Sequence, residues 1–254
     1  MKKVLSVILA VSMLLAMGVM LVSCAHKCEF SAEWSSDNTS HWHACTSEEC
    51  TLVADKADHT WDAGVITTKA TQDADGVKTF TCSVCAKTKT ESVPFTGFTE
   101  EEWNAAFADA VFENFAYREV ATTKGSGVTV DSDATYKFTK ETAWVKMVMA
   151  GQSNESYAPS KADADELREQ LLDSIKDMTP YEKFAYDAAS KTYKATSAIR
   201  IETLDTSASD VALTFDDGKL AKITFTASFT QSGIAFTVTE SITLSEYGTV
   251  VLNP

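Results

Sequence analysis

Apolar residues follow three different rhythms along this chain, and each rhythm predicts a different kind of element. The first is unbroken: behind Lys2 and Lys3, the 19 residues from Val4 to Val22 are apolar or small. That is the pattern of an export leader, although its length also fits an uncleaved anchor helix. The second rhythm is helical. Trp103, Phe107, Ala110, Val111 and Asn114 or Phe115 recur at three- and four-residue spacing, and Thr99 with Glu102 makes a capping box at the start. A second helix is expected from about Asp163 to Lys176, with Leu167, Leu171 and Ile175 on one face and Thr179-Pro180 ending it.

The third rhythm alternates. Tyr136, Phe138, Trp144, Val145, Met147 and Met149 mark strand between Ala134 and Met149. Tyr181 to Tyr186 and Thr192 to Ile201 flank a hairpin loop, Asp187-Ala188-Ala189-Ser190. Val211, Leu213 and Phe215 run into Asp216-Asp217-Gly218-Lys219, and Leu220, Ile223, Phe225 and Phe229 come back from it. Ile234 to Leu244 reads as another long strand and Thr249 to Leu252 as a short last one. Helix, strands, helix and meander predict an α+β fold, with a curved antiparallel sheet packed against helices over residues 98–254. This order is similar to that of lipoprotein-carrier folds, whose open half-barrel holds an acyl chain.

The leader ends in Leu21-Val22-Ser23-Cys24, which resembles the lipobox of bacterial lipoproteins. The resemblance implies that residues 1–23 are a signal peptide. It also implies that the Cys24 thiol carries diacylglycerol and that Cys24 becomes the mature N-terminus. On either reading of the leader the chain is exported and held to a membrane, on the cell surface or the periplasmic face.

All six Cys and all four His lie at or before Cys85, which sets residues 24–97 apart as a Cys/His-rich module with Val93-Pro94-Phe95-Thr96-Gly97 as the joint. Trp34, His41-Trp42-His43, Cys45, Cys50, His59-Thr60-Trp61, Gly76, Cys82 and Cys85 follow in an order that resembles a short Cys/His module repeated in many bacterial surface proteins. In that family a Gly usually follows the last Cys; here Ala86 takes its place. The spacing itself points to metal. Two thiol pairs about thirty residues apart are the arrangement of a zinc ribbon, and a β-rich module this small needs a staple. The first-choice ligands for a structural zinc are Cys45, Cys50, Cys82 and Cys85. His43 and His59 are candidates to replace one Cys, or to hold a second ion with His26 and Cys28. Disulfides are the alternative in an oxidising exterior, but with Cys24 lipidated five thiols remain and one is left over.

A net charge of −14 argues against nucleic-acid partners. Beyond Cys85 no His or Cys is available for a nucleophile and base, and the chain contains neither Gly-x-Ser-x-Gly nor a P-loop. The expectation is a non-enzymatic, lipid-anchored protein that binds a partner or an apolar ligand, with its Cys/His module as a metal-stapled spacer. The alternative is a structural or adhesion lipoprotein without a small-molecule pocket; an enclosed apolar cavity of roughly 300 Å³ would separate the two. Cys24→Ala should abolish acylation and leave the precursor uncut, measured as intact mass; a normally processed variant would remove the lipoprotein reading.

Overall fold

A computed structural model of the chain describes residues 27–201 and 206–253. The leader, Cys24 and His26 lie outside the described residues. The chain divides into two compact units between Pro94 and Phe95.

The N-terminal unit holds two three-stranded antiparallel sheets. One contains β1 (Phe30–Ser36), β2 (Ser40–Cys45) and β3 (Val53–Asp58), with β2 in the middle. Asp37 makes the β1–β2 turn: its carboxylate accepts from the backbone N–H of Ser40 at 2.7 Å and of Thr39 at 2.8 Å. Those donors hold the carboxyl down at about 2. The other sheet contains β4 (Val65–Thr68), β5 (Gly76–Thr81) and β6 (Thr88–Val93). Among the described residues of this unit only Ser40, His41, Gly76 and Cys82 are buried, while Val65 and Ile66 stay 64% and 55% exposed. An apolar core is missing.

The C-terminal unit corrects the α+β expectation. Its frame is one ten-stranded antiparallel sheet, and only two α-helices, of 7 and 18 residues, occur among the described residues of the whole chain. The fold is mainly β. Helix α1 (Glu100–Ala106) starts at the Thr99 capping box, with the Thr99 hydroxyl accepting from Glu102 N and the Glu102 carboxylate accepting from Thr99 N. It stops well short of Phe115, because Asp109–Phe112 forms a 3-10 turn and Phe115 opens a strand.

Four strands in a meander follow or flank that point: β7 (Phe115–Gly125), β8 (Val128–Phe138), β9 (Ala143–Met149) and β10 (Gln152–Tyr157). The expected strand from Ala134 to Met149 is thus broken by a turn in which Thr139 N donates to Thr142 O at 2.9 Å. After α2 (Lys161–Met178) come β11 (Phe184–Asp187), β12 (Thr192–Ala195), β13 (Ile199–Ile201), β14 (Thr206–Asp216), β15 (Lys219–Gln231) and β16 (Ile234–Ser245). The sheet order is β10-β9-β8-β7-β16-β15-β14-β12-β11, with β13 also paired to β14. Long hairpins turn on two residues with positive φ, as at Asp217 (φ 47°) and Gly218 (φ 72°). This geometry matches the natural twist of paired strands and suits Gly in the second place. The expected final strand at Thr249–Leu252 does not form. Asn114 takes the part of a strand neighbour, donating to Val250 O at 3.0 Å and accepting from Val250 N at 2.8 Å.

One face of the large sheet supplies the core. Val211, Leu213 and Phe215 on β14 and Ile223, Phe225 and Ala227 on β15 alternate inward, meeting Trp103, Leu172 and Ile175 from the helices. Trp103 satisfies its indole N–H on Thr179 O at 3.0 Å, tying α1 to the end of α2.

Between α2 and the sheet lies a crevice of about 220 Å³, lined by Tyr117, Phe225, Ile242 and Met178 but also by Glu119, Glu240 and Arg200. The Tyr117 hydroxyl donates to Glu119 at 3.1 Å. Burial, then the neighbouring Glu119, raises the Glu240 carboxyl from 4.5 to about 8. The folded state therefore holds a proton that the unfolded chain releases, and between those values stability falls as pH rises. Denaturant unfolding should show the C-terminal unit losing about 3 to 4 kcal/mol between about pH 5 and about pH 8, and Glu240→Gln should remove most of that loss. Equal losses in both proteins would show that Glu240 is not the group responsible.

Candidate metal centres

Two groups of Cys and His side chains converge in the N-terminal unit. His41, His59, Cys82 and Cys85 form one; Cys28, Cys45 and Cys50 form the other. Within each group every ligand atom lies within 4.8 Å of the others. Both sets of donors could hold a metal ion.

The four-residue group joins the two small sheets. His41 comes from β2, His59 from the residue after β3, and Cys82 and Cys85 from the turn between β5 and β6. The chain there is pinned by backbone pairing: His59 N donates to Thr39 O at 3.1 Å and Ser83 N to Thr60 O at 2.9 Å, while Cys82 bridges to Trp61. Cys82 is 1% exposed and His41 3%, so these two donors are buried, while His59 and Cys85 are half-buried. Trp34 stands edge-on to His41 at 4.7 Å, and Trp61 lies 4.7 Å from His59. These rings pack against the two imidazoles and limit their orientation.

Distances suit a tetrahedral ion. Cys85 Sγ lies 3.4 Å from His59 Nδ1, and Cys82 Sγ lies 3.9 Å from His41 Nδ1. Two ligands on one zinc, at Zn–S about 2.3 Å and Zn–N about 2.0 Å, stand roughly 3.6 Å apart. The far nitrogen of His59, Nε2, is 3.0 Å from Asp37 O. A donor there leaves Nδ1 as the lone-pair atom facing the thiols, the tautomer that a metal requires. That carbonyl contact, and then Cys82, raise the His59 imidazole above its ordinary value. Burial pushes the Cys82 thiol up, but the backbone N–H groups of Cys85 and Val84, with His59, overcome it and hold the thiol down at about 6. Donors aimed at a sulfur favour its thiolate.

The three-residue group sits at the other end of the same strand. Cys45 closes β2, Cys28 precedes β1, and Cys50 lies in the loop before β3. Cys28 Sγ and Cys50 Sγ are 3.2 Å apart. Sharing hydrogen bonds with Cys50 and Cys45 pushes the Cys28 thiol up to about 12.

The four thiols expected to share one ion are therefore distributed. Cys45 and Cys50 stand with Cys28, whereas Cys82 and Cys85 stand with two imidazoles. The physical reason lies in β2, where His41, His43 and Cys45 share one face by the two-residue period of a strand. His41 and Cys45 are four residues apart, about 13 Å along an extended chain, so they serve different centres. His43, between them, stacks on Trp34 at 3.9 Å with Nδ1 3.3 Å from Glu33 O, and joins neither group. His59 does join one. His41 is the candidate ligand that spacing arguments passed over; its two-residue alternation with His43 and Cys45 was the available signal.

No protein-family model matches the chain, and a search of curated proteins finds no match. The metal-ligating chemistry thus rests on the geometry.

Ala86 has φ 59° and donates its N–H to Cys82 O at 3.0 Å. A side chain in that left-handed region is strained. Ala86→Gly should stabilise the N-terminal unit by about 0.5–1 kcal/mol, read from the denaturant midpoint of its Trp fluorescence. A lower midpoint would mean that the turn is held by something other than the local backbone.

Proposed function

We propose that this chain is a lipid-anchored, extracytoplasmic, non-enzymatic protein. Its N-terminal unit folds around a structural zinc and carries the mainly β unit as a binding module. One observation carries the reading: the buried centre of the N-terminal unit is His41 and Cys82, two members of a four-donor group, in place of an apolar core. Four protein ligands close a coordination sphere, which suits a structural ion rather than a catalytic one. The lipobox-like Leu21-Val22-Ser23-Cys24 supports export and anchoring. No helix among the described residues is long and apolar enough to cross a membrane.

For the C-terminal unit, the crevice favours a surface-acting role over storage of an apolar ligand. It holds about 220 Å³, and Glu119 and Glu240 stand in its wall. An acyl chain would lie against the polar Glu119 and Glu240 side chains without offering them a hydrogen bond. That observation supports the second reading, an adhesion or structural lipoprotein that meets its partner through exposed faces. With no His or Cys after Cys85, the crevice offers neither a Ser-His-Asp nor a Cys-His site.

Elemental analysis with thiol counting on the purified full chain tests the staple. Zinc should co-purify, and a strong chelator should release it and change the fluorescence of the N-terminal Trp34, Trp42 and Trp61 while the cooperative unfolding of the C-terminal unit persists. Metal-free protein with all thiols reactive and an unchanged N-terminal spectrum would overturn the proposal.

A further inference from the structure

The sulfur-only group at the far end of β2 has a chemistry of its own. Cys28, Cys45 and Cys50 come from three separate segments, and all three thiols are half-buried. Backbone hydrogen bonds fix each segment: Thr46 N donates to Glu29 O at 2.8 Å, Cys45 N to Leu52 O at 3.1 Å and Cys50 N to Ser47 O at 3.0 Å. Convergence of three sulfurs is therefore built by the backbone rather than by chance rotamers. Among the described residues, no carboxylate and no imidazole belongs to the group. A purely thiolate set rejects hard ions such as calcium and magnesium, which need oxygen ligands, and selects soft ones.

We infer that Cys28, Cys45 and Cys50 form a second, independent metal centre in which three thiolates hold a thiophilic d¹⁰ cation. Zinc and copper(I) share that chemistry; zinc would complete a tetrahedron with a further ligand, and copper(I) is satisfied by three sulfurs. A single ion cannot serve both groups, because His41 and Cys45 are about 13 Å apart along β2. A Cys28–Cys50 disulfide is the competing arrangement. It would leave Cys45 beside an S–S bond that its thiolate can attack, an arrangement prone to exchange. A shared ion uses all three sulfurs at once.

The test uses the full chain purified anaerobically in detergent, without added oxidant, as wild type, Cys50→Ser and Cys85→Ser. Metal content by mass spectrometry should be two ions per wild-type chain after zinc loading, and one in either variant. With cobalt(II) as probe, the ion left in Cys85→Ser should show stronger sulfur-to-metal charge transfer than the ion left in Cys50→Ser, since three thiolates exceed two. In a competition with a copper(I) chelator, wild type and Cys85→Ser should retain copper and Cys50→Ser should not; retention of zinc alone by the same proteins would identify zinc as the occupant. The inference is overturned if Cys50→Ser keeps the wild-type metal content, if it loses two ions together, if wild type binds a single ion that Cys85→Ser loses, or if the intact mass shows two hydrogens lost to a Cys28–Cys50 bond. Failure of the His41 centre reads differently: Cys85→Ser would then hold as much metal as wild type while Cys50→Ser holds less.

Discussion

Everything in the N-terminal unit depends on side chains that would ordinarily avoid a protein interior. Its buried positions are His41, Ser40, Gly76 and Cys82, with Val65, Ile66 and Leu52 left to solvent. An imidazole and a thiol bring almost no hydrophobic free energy, and burial of polar atoms is unfavourable unless they find partners. The two sheets meet where His41, His59 and Trp61 come against Cys82 and Cys85. A tetrahedral ion at that crossing would add on the order of 10 kcal/mol, enough to decide whether so thinly packed a unit folds. The donors are arranged accordingly: the Asp37 carbonyl orients His59, and the Asp37 carboxylate ties the turn that carries that carbonyl.

The C-terminal unit solves the same problem by ordinary means. Its strands are long, their registers are set by two-residue turns, and β16 pairs with β7 from Ser245↔Ala116 to Phe236↔Gly125. That pairing joins the first and last strands of the unit and unites two meanders into one sheet. Phe112, Phe115, Phe138 and Tyr247 then stack where the meanders meet. The contrast in burial explains the contrast in chemistry: a unit with this much apolar area needs no staple, and it contains no Cys or His from which to make one.

How much of this was legible in the residues follows from what each signal measures. Periodicity found β14, β15 and β16, because one face of each is apolar and the other is not. It missed β10, whose Gln152–Tyr157 are all exposed, and the outer half of β8, where Val128, Thr129, Val130 and Asp131 face solvent. Such strands exist by backbone pairing, which leaves no mark on hydrophobicity. The turns did leave one. Ser126-Gly127, Ala150-Gly151 and Ser232-Gly233 repeat the positive-φ pair of Asp217-Gly218 and would have revealed the missing hairpins. The α+β expectation failed because a helical rhythm of Trp103, Phe107, Ala110 and Val111 was extended to Phe115, where the side chain is needed on a sheet face. At the metal ligands, spacing identified the residue types and could not say which end of β2 each would reach.

The two centres take on a mechanical sense at the position of the tether. Cys28 lies four residues from Cys24, so an extended chain allows at most about 14 Å between them. With Cys24 acylated as proposed, the first cross-linked point of the protein comes almost at the lipid. From there β2 runs from Cys45 back to His41, the centre at His41 passes the constraint to Cys82 and Cys85, and β6 leads out towards Pro94. Each sheet contributes to a group that could hold an ion, and with ions bound neither would require an apolar core between grips. A spacer built this way can be thin, hydrated and acidic, and still resist being pulled apart, because extension must first break metal–thiolate bonds rather than separate hydrophobic surfaces. On the proposed reading, that is the physical advantage of placing soft-metal ligands, rather than leucines, close to the tether.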